Sequence, residues 1–395
     1  MIVGGSERPD TAAVPDSKPF RLGRRPALDG LRAIAILAVI GFHYGPTKVA
    51  GGYLGVDVFF VLSGFLITAL LVQERSNTGR ISLKAFYMRR AKRLLPALFV
   101  MLAAVTVYAA MFPHRPETQH VWRDIIAAVF YVANWVHGFS HHLEVGLLDH
   151  TWSLSVEEQF YLLWPAVLVL MVRKGFSRKT IAIVVGTGVL ASLIDTQLLY
   201  RHGSFAPRLA YGLDTRGVGL LMGCLLGLAV GWQVIPDRIR RYAPYTPWLG
   251  FLMLAVLFLS HRYALFAGQS YRQFVEAPPL VDIATVLIIF GVIYRERSAA
   301  ARLMSIPLAV WLGRVSYGVY LWHFPIGTVV ASHHLTMGLG DPGSQLLKVV
   351  LTLIVVTLSF YLVEQPILGG YWPPRFPGRR RPGVDHTPAA AEVRS

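Results

Sequence analysis

A chain of 395 residues in which 54% of side chains are hydrophobic and only 15% charged is not a soluble globular domain, where about a quarter of residues carry charge. A net charge of +16 would point to nucleic acid in a soluble protein. Here the basic residues form short clusters between apolar runs without interleaved aromatics, which excludes a nucleic-acid surface and marks topology signals and contacts to anionic membrane lipid.

Residues 1–26 hold charges and prolines but no apolar core, and read as a flexible cytoplasmic leader rather than a signal peptide. Apolar runs that approach or reach the ~20 residues needed to cross a ~30 Å bilayer core follow at 31–45, 51–72, 94–112, 154–172, 180–199, 216–232, 247–265, 279–294, 306–330 and 345–363. They predict an all-α fold, a polytopic membrane helix bundle of about ten transmembrane helices within residues 27–367. An eleventh stretch, 125–139, is shorter and contains Asn134 and His137. If it crossed, the basic clusters around Arg173, Arg238 and Arg295 and the arginine tail would lie opposite Arg24, Arg25 and the cluster MRRAKR; if it does not, all lie on one side. Ten spans with both termini cytoplasmic follow, with residues 113–153 as an outer segment. Residues 368–395, rich in Pro, Arg and Ala, read as a disordered basic cytoplasmic tail. No P-loop, dinucleotide fingerprint or fixed-period repeat is present, and the single cysteine, Cys224, makes neither a disulfide nor a zinc cluster.

An ionisable group inside a span costs about 2.5 to 3.5 kcal/mol on insertion scales and is a functional candidate for that reason. The first span, LDGLRAIAILAVIGFHYG, holds two, Arg32 and His43. Eleven residues of helix turn through about 1100°, so the two side chains share one face roughly 16 Å apart. That stripe suits a long ligand held by an anionic end at Arg32 and delivered to the imidazole at the other; a snorkelling arginine and a core histidine fit the same spacing. Asp57, in GVDVFFVLSGFLIT, needs a partner, His43 or an arginine, and Ser63 and Gly64 permit close helix packing. The cluster FYMRRAKR is an orientation anchor whose arginine forks also match phosphate oxygens. In HTWSLSVEEQFYLLWP, Glu157 and Glu158 point about 100° apart, so only one faces inward, and Trp152, Tyr161 and Trp164 suit an interfacial belt. Asp214 and Arg216 (LDTRG) suggest a local ion pair at the outer end of their span; His323 lies among aromatics, and Glu364 closes the last span.

Seven motifs in this order, LDGLRAIAILAVIGFH, GVDVFFVLSGFLIT, MRRAKRLLPAL, WSLSVEEQFYLLWP, DTRGVGLLMG, LGRVSYGVYLWHFP and YLVEQP, resemble the acyltransferase-3 family of bacterial integral membrane O-acyltransferases across about residues 27 to 367. The resemblance implies an enzyme of the bacterial cytoplasmic membrane that moves an acyl group, often acetyl, from acyl-CoA to a hydroxyl of a carbohydrate or glycosylated acceptor: an exported glycan, a glycolipid or a macrolide sugar. Acyl-CoA is then a donor substrate, and no permanent cofactor or metal is expected. The family's basic residue, ten residues, then histidine falls on Arg32 and His43, its arginines after the second span on Arg89, Arg90 and Arg93, and its Trp-Ser-Leu acid on Glu157. Some relatives carry a fused extracytoplasmic hydrolase-like domain after the last span. This chain has a short basic tail there, so it is expected to act alone or with a partner.

The sequence expectation is therefore that CoA phosphates meet Arg32, Arg89, Arg90 and Arg93, and that His43 acts as general base with Asp57 or Glu157 orienting it. Trp152, Asp214, Arg216 and His323 are the candidates for holding the acceptor. Direct transfer and an acyl-histidine intermediate both fit. Cys224 sits away from these motifs, which argues against an acyl-cysteine. A proton-coupled transporter using His43, Asp57, Glu157 and His323 as a relay is the alternative from another class. Acceptor identity, acyl length and oligomeric state are open at this level.

Overall fold

A computed structural model describes residues 21–45, 47–139, 146–201, 207–263, 271–335 and 339–369; most of the leader and of the basic tail lies outside the described residues. In a bilayer every backbone amide must be satisfied within its own segment, and the apolar runs accordingly form helices; the described residues contain no strand. In chain order these are α1 (Pro26–Tyr44), α2 (Gly55–Thr78), α3 (Leu83–Met111), α4 (Val121–Val129), α5 (Ala133–Gly138), α6 (Thr151–Arg173), α7 (Arg178–Arg201) and α8 (Pro207–Tyr211). They continue with α9 (Leu213–Gly231), α10 (Asp237–Arg240), α11 (Thr246–Leu259), α12 (Ala277–Tyr294), α13 (Ala299–Met304), α14 (Pro307–Ser332), α15 (Gly340–Ser359) and α16 (Gln365–Gly369).

Among the described residues, eight helical segments are long and apolar enough to cross a membrane. The other two expected spans are α11, apolar but 14 residues long, and α14, 26 residues long and carrying Arg314 and His323. Starts and stops follow local chemistry: proline occupies the first turn of α1 and α14, where its missing N–H costs nothing, and Gly79 at φ 71° ends α2.

The stretch 125–139 is not one helix. It breaks between α4 and α5, where Tyr131 takes φ 53°. The amide groups freed by the break are satisfied by α6: Gln159 Nε2 donates to the Tyr131 carbonyl at 2.7 Å and to Asn134 Oδ1 at 2.8 Å, and Ser155 Oγ accepts from Ala133 N–H at 3.1 Å. An irregular backbone is tolerated in this way when it is buried in protein.

The centre of the bundle is the α2–α9 contact. A Cβ on Gly64 would lie 1.9 Å from the Leu220 carbonyl oxygen, and one on Gly223 would lie 2.2 Å from that of Val61, so only glycine allows these backbones their approach. Cys224 is fully buried in the same seam, with Sγ 3.7 Å from the Gly64 carbonyl oxygen. The start of α1 lies beside the end of α2, since Leu22 N–H donates to Gln73 Oε1 at 2.7 Å. Arg25 pairs with Glu296, and the Arg240 guanidinium lies 5.1 Å from the Tyr294 ring centre. The basic clusters at these helix ends thus share one side of the bundle.

Candidate active site

Three arginines and one glutamate meet in a cleft between α1, α2, α3, α6 and α14. It encloses ≈ 610 Å³ of atom-free space, part of it open to the outside, and Arg32, Arg90, Arg93, Ser63, Glu157, Tyr161, Ser153, Tyr317 and Tyr320 are among its lining. Each comes from a different helical register. Arg32 is one turn and a half into α1, Arg90 and Arg93 are seven and ten residues into α3, and Glu157 is six residues into α6.

Both carboxylate oxygens of Glu157 are occupied: Ser63 Oγ donates to one at 3.0 Å and Tyr161 Oη to the other at 2.9 Å. The hydroxyls of Ser63 and Tyr161 are themselves 2.7 Å apart. The Arg90 guanidinium sits 4.4 Å from the Tyr161 ring centre. Arg32 meets Asp29 at 3.4 Å, but that carboxylate is shared with Arg314 at 3.9 Å. Three guanidinium groups therefore face the cleft with one lining carboxylate among the described residues, and that excess of positive charge is chemistry for an anion.

The far end of the cleft adjoins a cluster of three histidines. The His43 and His323 ring centres are 4.9 Å apart, and those of His323 and His150 are 5.6 Å apart. Tyr320, which lines the cleft, has its hydroxyl 2.6 Å from Ser153 Oγ and 2.9 Å from the His150 carbonyl oxygen. Each imidazole is fixed by a carbonyl: His43 Nδ1 on Val39 at 2.9 Å, His323 Nδ1 on Tyr320 at 2.6 Å, and His150 Nε2 on Leu321 at 3.1 Å. A ring nitrogen facing a carbonyl carries the hydrogen, so a neutral His43 presents its lone pair on Nε2. His323 Nε2 and His150 Nδ1 are buried without a hydrogen-bond partner among the described residues. His150 lies in the turn before α6, and burial, with His43 nearby, lowers its pKa to about 3, so it is neutral at physiological pH.

Asp57 pairs with an arginine from another helix, Arg216 Nη2 at 2.8 Å, with both side chains buried. The Arg216 guanidinium is 5.8 Å from the Trp152 ring centre, and Trp152 packs edge-on against Phe60, a cleft residue. Asp282 of α12 lies beside this pair, 1% exposed, with neither carboxylate oxygen hydrogen-bonded among the described residues.

The expected local ion pair between Asp214 and Arg216 is not formed. Residues two apart on a helix point about 200° apart. Arg216 turns into the bundle, while Asp214 accepts from Arg208 Nε at 2.8 Å in a group that includes Asp195. The expected orientation of His43 by Asp57 or Glu157 is also replaced, because the Val39 carbonyl holds the ring. Arg89 does not reach the cleft; its side chain is 63% exposed and meets Glu74 at 3.5 Å. Tyr161, expected in an interfacial belt, is buried in the cleft. His150 and Asp282 escaped the sequence reading. The first sits in a polar turn that resembles a solvated helix start, and the second is one acid in a span otherwise read for its apolar residues.

A family model described as an acyltransferase domain matches residues 25–370. The chain is 36% identical over 356 residues to the peptidoglycan O-acetyltransferase OatA of Listeria monocytogenes, covering 87% of this chain and 55% of the relative. It is 35% identical over 359 residues to the putative peptidoglycan O-acetyltransferase YrhL of Bacillus subtilis, covering 87% and 54%. It is also 35% identical over 355 residues to the putative O-acetyltransferase SACOL0978 of Staphylococcus aureus, covering 86% and 57%. The chain thus spans about half the length of the curated relatives it matches. No solved structure matches it. With the family model covering nearly all of the helix bundle and every cleft residue inside it, the chain belongs to the acyltransferase-3 family, the acyltransferase domain of integral membrane proteins.

Proposed function

We propose that this chain is a membrane O-acyltransferase that moves an acyl group, acetyl in the first instance, from acyl-CoA to a hydroxyl of a sugar-bearing acceptor. The observation that carries the reading is the single cleft with three arginines at one end and His43, His323 and His150 beyond the other. In this reading the CoA phosphates meet Arg32, Arg90 and Arg93, and the pantetheine arm runs along α1 toward His43. The acceptor oxygen attacks the thioester carbonyl carbon while His43 Nε2 takes its proton. The tetrahedral intermediate collapses, the C–S bond breaks, and the leaving thiolate recovers the proton from the imidazolium. The products are an ester and free CoA. A positioned base of this kind contributes typically 10²–10⁴-fold.

Glu157 serves to hold Tyr161 and Ser63 at the cleft wall, and Asp57 serves to hold Arg216 against Trp152. The relatives' names favour a cell-wall glycan as acceptor, placed at the outer end of α1 where His43 lies, with the bundle in a bacterial cytoplasmic membrane and its basic side facing the cytoplasm. The test is incubation of membranes containing the full chain with radiolabelled acetyl-CoA and a panel of muropeptides and other glycosides. Label transferred to a sugar ester supports the reading. Solute uptake without CoA release would overturn it in favour of a transporter.

A further inference from the structure

A second pocket shares no lining residue with the cleft. It opens on the basic side of the bundle, where α2, α6 and α9 end and α7 begins, and encloses ≈ 880 Å³ of atom-free space, part of it open to the outside. Apolar side chains, Val72, Val172 and Ile181 among them, line it together with Trp232 and two exposed arginines, Arg75 and Arg178. The Arg178 guanidinium lies 6.0 Å from the Trp232 ring centre. Neither arginine has an ion pair among the described residues. Glu74, the neighbouring acid, is turned away to Arg89 at 3.5 Å and to the Ser82 N–H at 2.8 Å.

Two guanidinium groups with no carboxylate partner among the described residues, beside apolar side chains at the level where helices leave the membrane, are matched to a ligand with an anionic head and an apolar body. Ser76 Oγ, the one hydroxyl among the lining side chains, donates to the Val72 carbonyl at 3.0 Å, which leaves it no hydrogen for the base or ribose of a nucleotide. We propose that this pocket binds an anionic glycerophospholipid, with the phosphate on Arg75 and Arg178 and the apolar chain along Val72, Val172 and Ile181. The site stands apart from the cleft and does not depend on the acyl-transfer reading.

The experiment follows thermal unfolding of the purified full chain in neutral detergent. Phosphatidylglycerol, phosphatidylcholine, glycerol 3-phosphate and coenzyme A are titrated separately, and native mass spectrometry records retained lipid. The expected result is a rise in Tm with phosphatidylglycerol only and a retained anionic lipid. The double substitution Arg75→Gln with Arg178→Gln then weakens the phosphatidylglycerol response roughly 10–30-fold, as for two basic contacts to an anionic headgroup. A control that removes the same charge from exposed positions outside the pocket, Arg238→Gln with Arg297→Gln, keeps the wild-type response. Equal responses in the two double variants would overturn the site, as would a coenzyme A response that needs Arg75 and Arg178. If the pocket variant does not fold, Val172→Trp fills the pocket without touching either charge, and an unchanged phosphatidylglycerol response there overturns the proposal equally.

Discussion

At the scale of residues, the bundle keeps its charges in a few defined arrangements. Breaking a buried ion pair leaves the surviving partner uncompensated and costs about 3–5 kcal/mol. Arg216→Ala, which strands Asp57 beside the already unpaired Asp282, is therefore expected to lower thermal stability in detergent sharply. Adding Asp57→Ala should restore part of the loss, and a double variant no better than the single would contradict the pairing. A second prediction concerns Asp149, in the turn before α6. Burial and, to a lesser degree, the nearby Asp124 raise its carboxyl to about 7, against the pull of the Gly146 N–H and Arg123, with Tyr211 also facing it. The sign is that of a raised acid: the fold holds the proton more tightly than the unfolded chain. Nothing is lost below the ordinary value of about 3.9, stability falls between there and about 7, and the deficit is constant above. Asp149→Asn should raise Tm at pH 8, by the equivalent of up to about 4 kcal/mol, and leave it unchanged at pH 4. Unfolding curves at the two pH values decide this. Arg32, His43 and Glu157 stood out in the sequence because an ionisable residue in an apolar span is costly. Their partners did not: Asp57 needed an arginine, but nothing in one dimension says that it is Arg216, 159 positions away.

At the scale of elements, apolar runs located every long helix but misjudged its ends. The expected span 94–112 begins eleven residues after α3 does, because the cluster MRRAKR is helical without being apolar. Hydrophobicity reports contact with lipid; helix boundaries are set by caps such as Ser82, whose hydroxyl accepts from Ala85 N–H at 3.3 Å. That difference brings Arg90 and Arg93 inside α3 and into the cleft. The placement of the basic clusters set 125–139 apart from the expected spans, whereas its seating on Gln159 depended on tertiary contacts. The α2–α9 seam yields a third prediction. A methyl at Gly64 would collide with backbone at Leu220, which side-chain rotation cannot relieve. Gly64→Ala should cost about 1–3 kcal/mol through overpacking and lower Tm, while Gly186→Ala, which meets nothing within 4 Å, should not. Equal Tm values for the two would refute the seam.

At the scale of the whole molecule, the basic helix ends lie together on one side and the three histidines lie toward the other. Because Cys224 is fully buried, cysteines introduced elsewhere report sidedness without removing it. A cysteine at Gly175 or Arg238 should react with a membrane-impermeant maleimide only after the cells are opened, and one at His114 or Gln119, both exposed, should react on intact cells. The reverse pattern would invert the bundle. Family membership was legible from seven ordered motifs, since their order is a property of sequence. The histidine cluster was not, since it is assembled from α1, α14 and the turn before α6.

The central claim is that His43, held by the Val39 carbonyl through Nδ1 and lying beyond the far end of the cleft, removes the proton from the acceptor hydroxyl through Nε2. The most direct measurement is the rate of acetyl transfer from labelled acetyl-CoA to a glycan acceptor by purified wild type and His43→Gln, each shown folded by an unchanged Tm, with CoA binding measured in parallel. A fall in rate of about 10²–10⁴-fold with CoA binding retained is the predicted result; a His43→Gln protein that transfers acetyl at the wild-type rate would contradict the account.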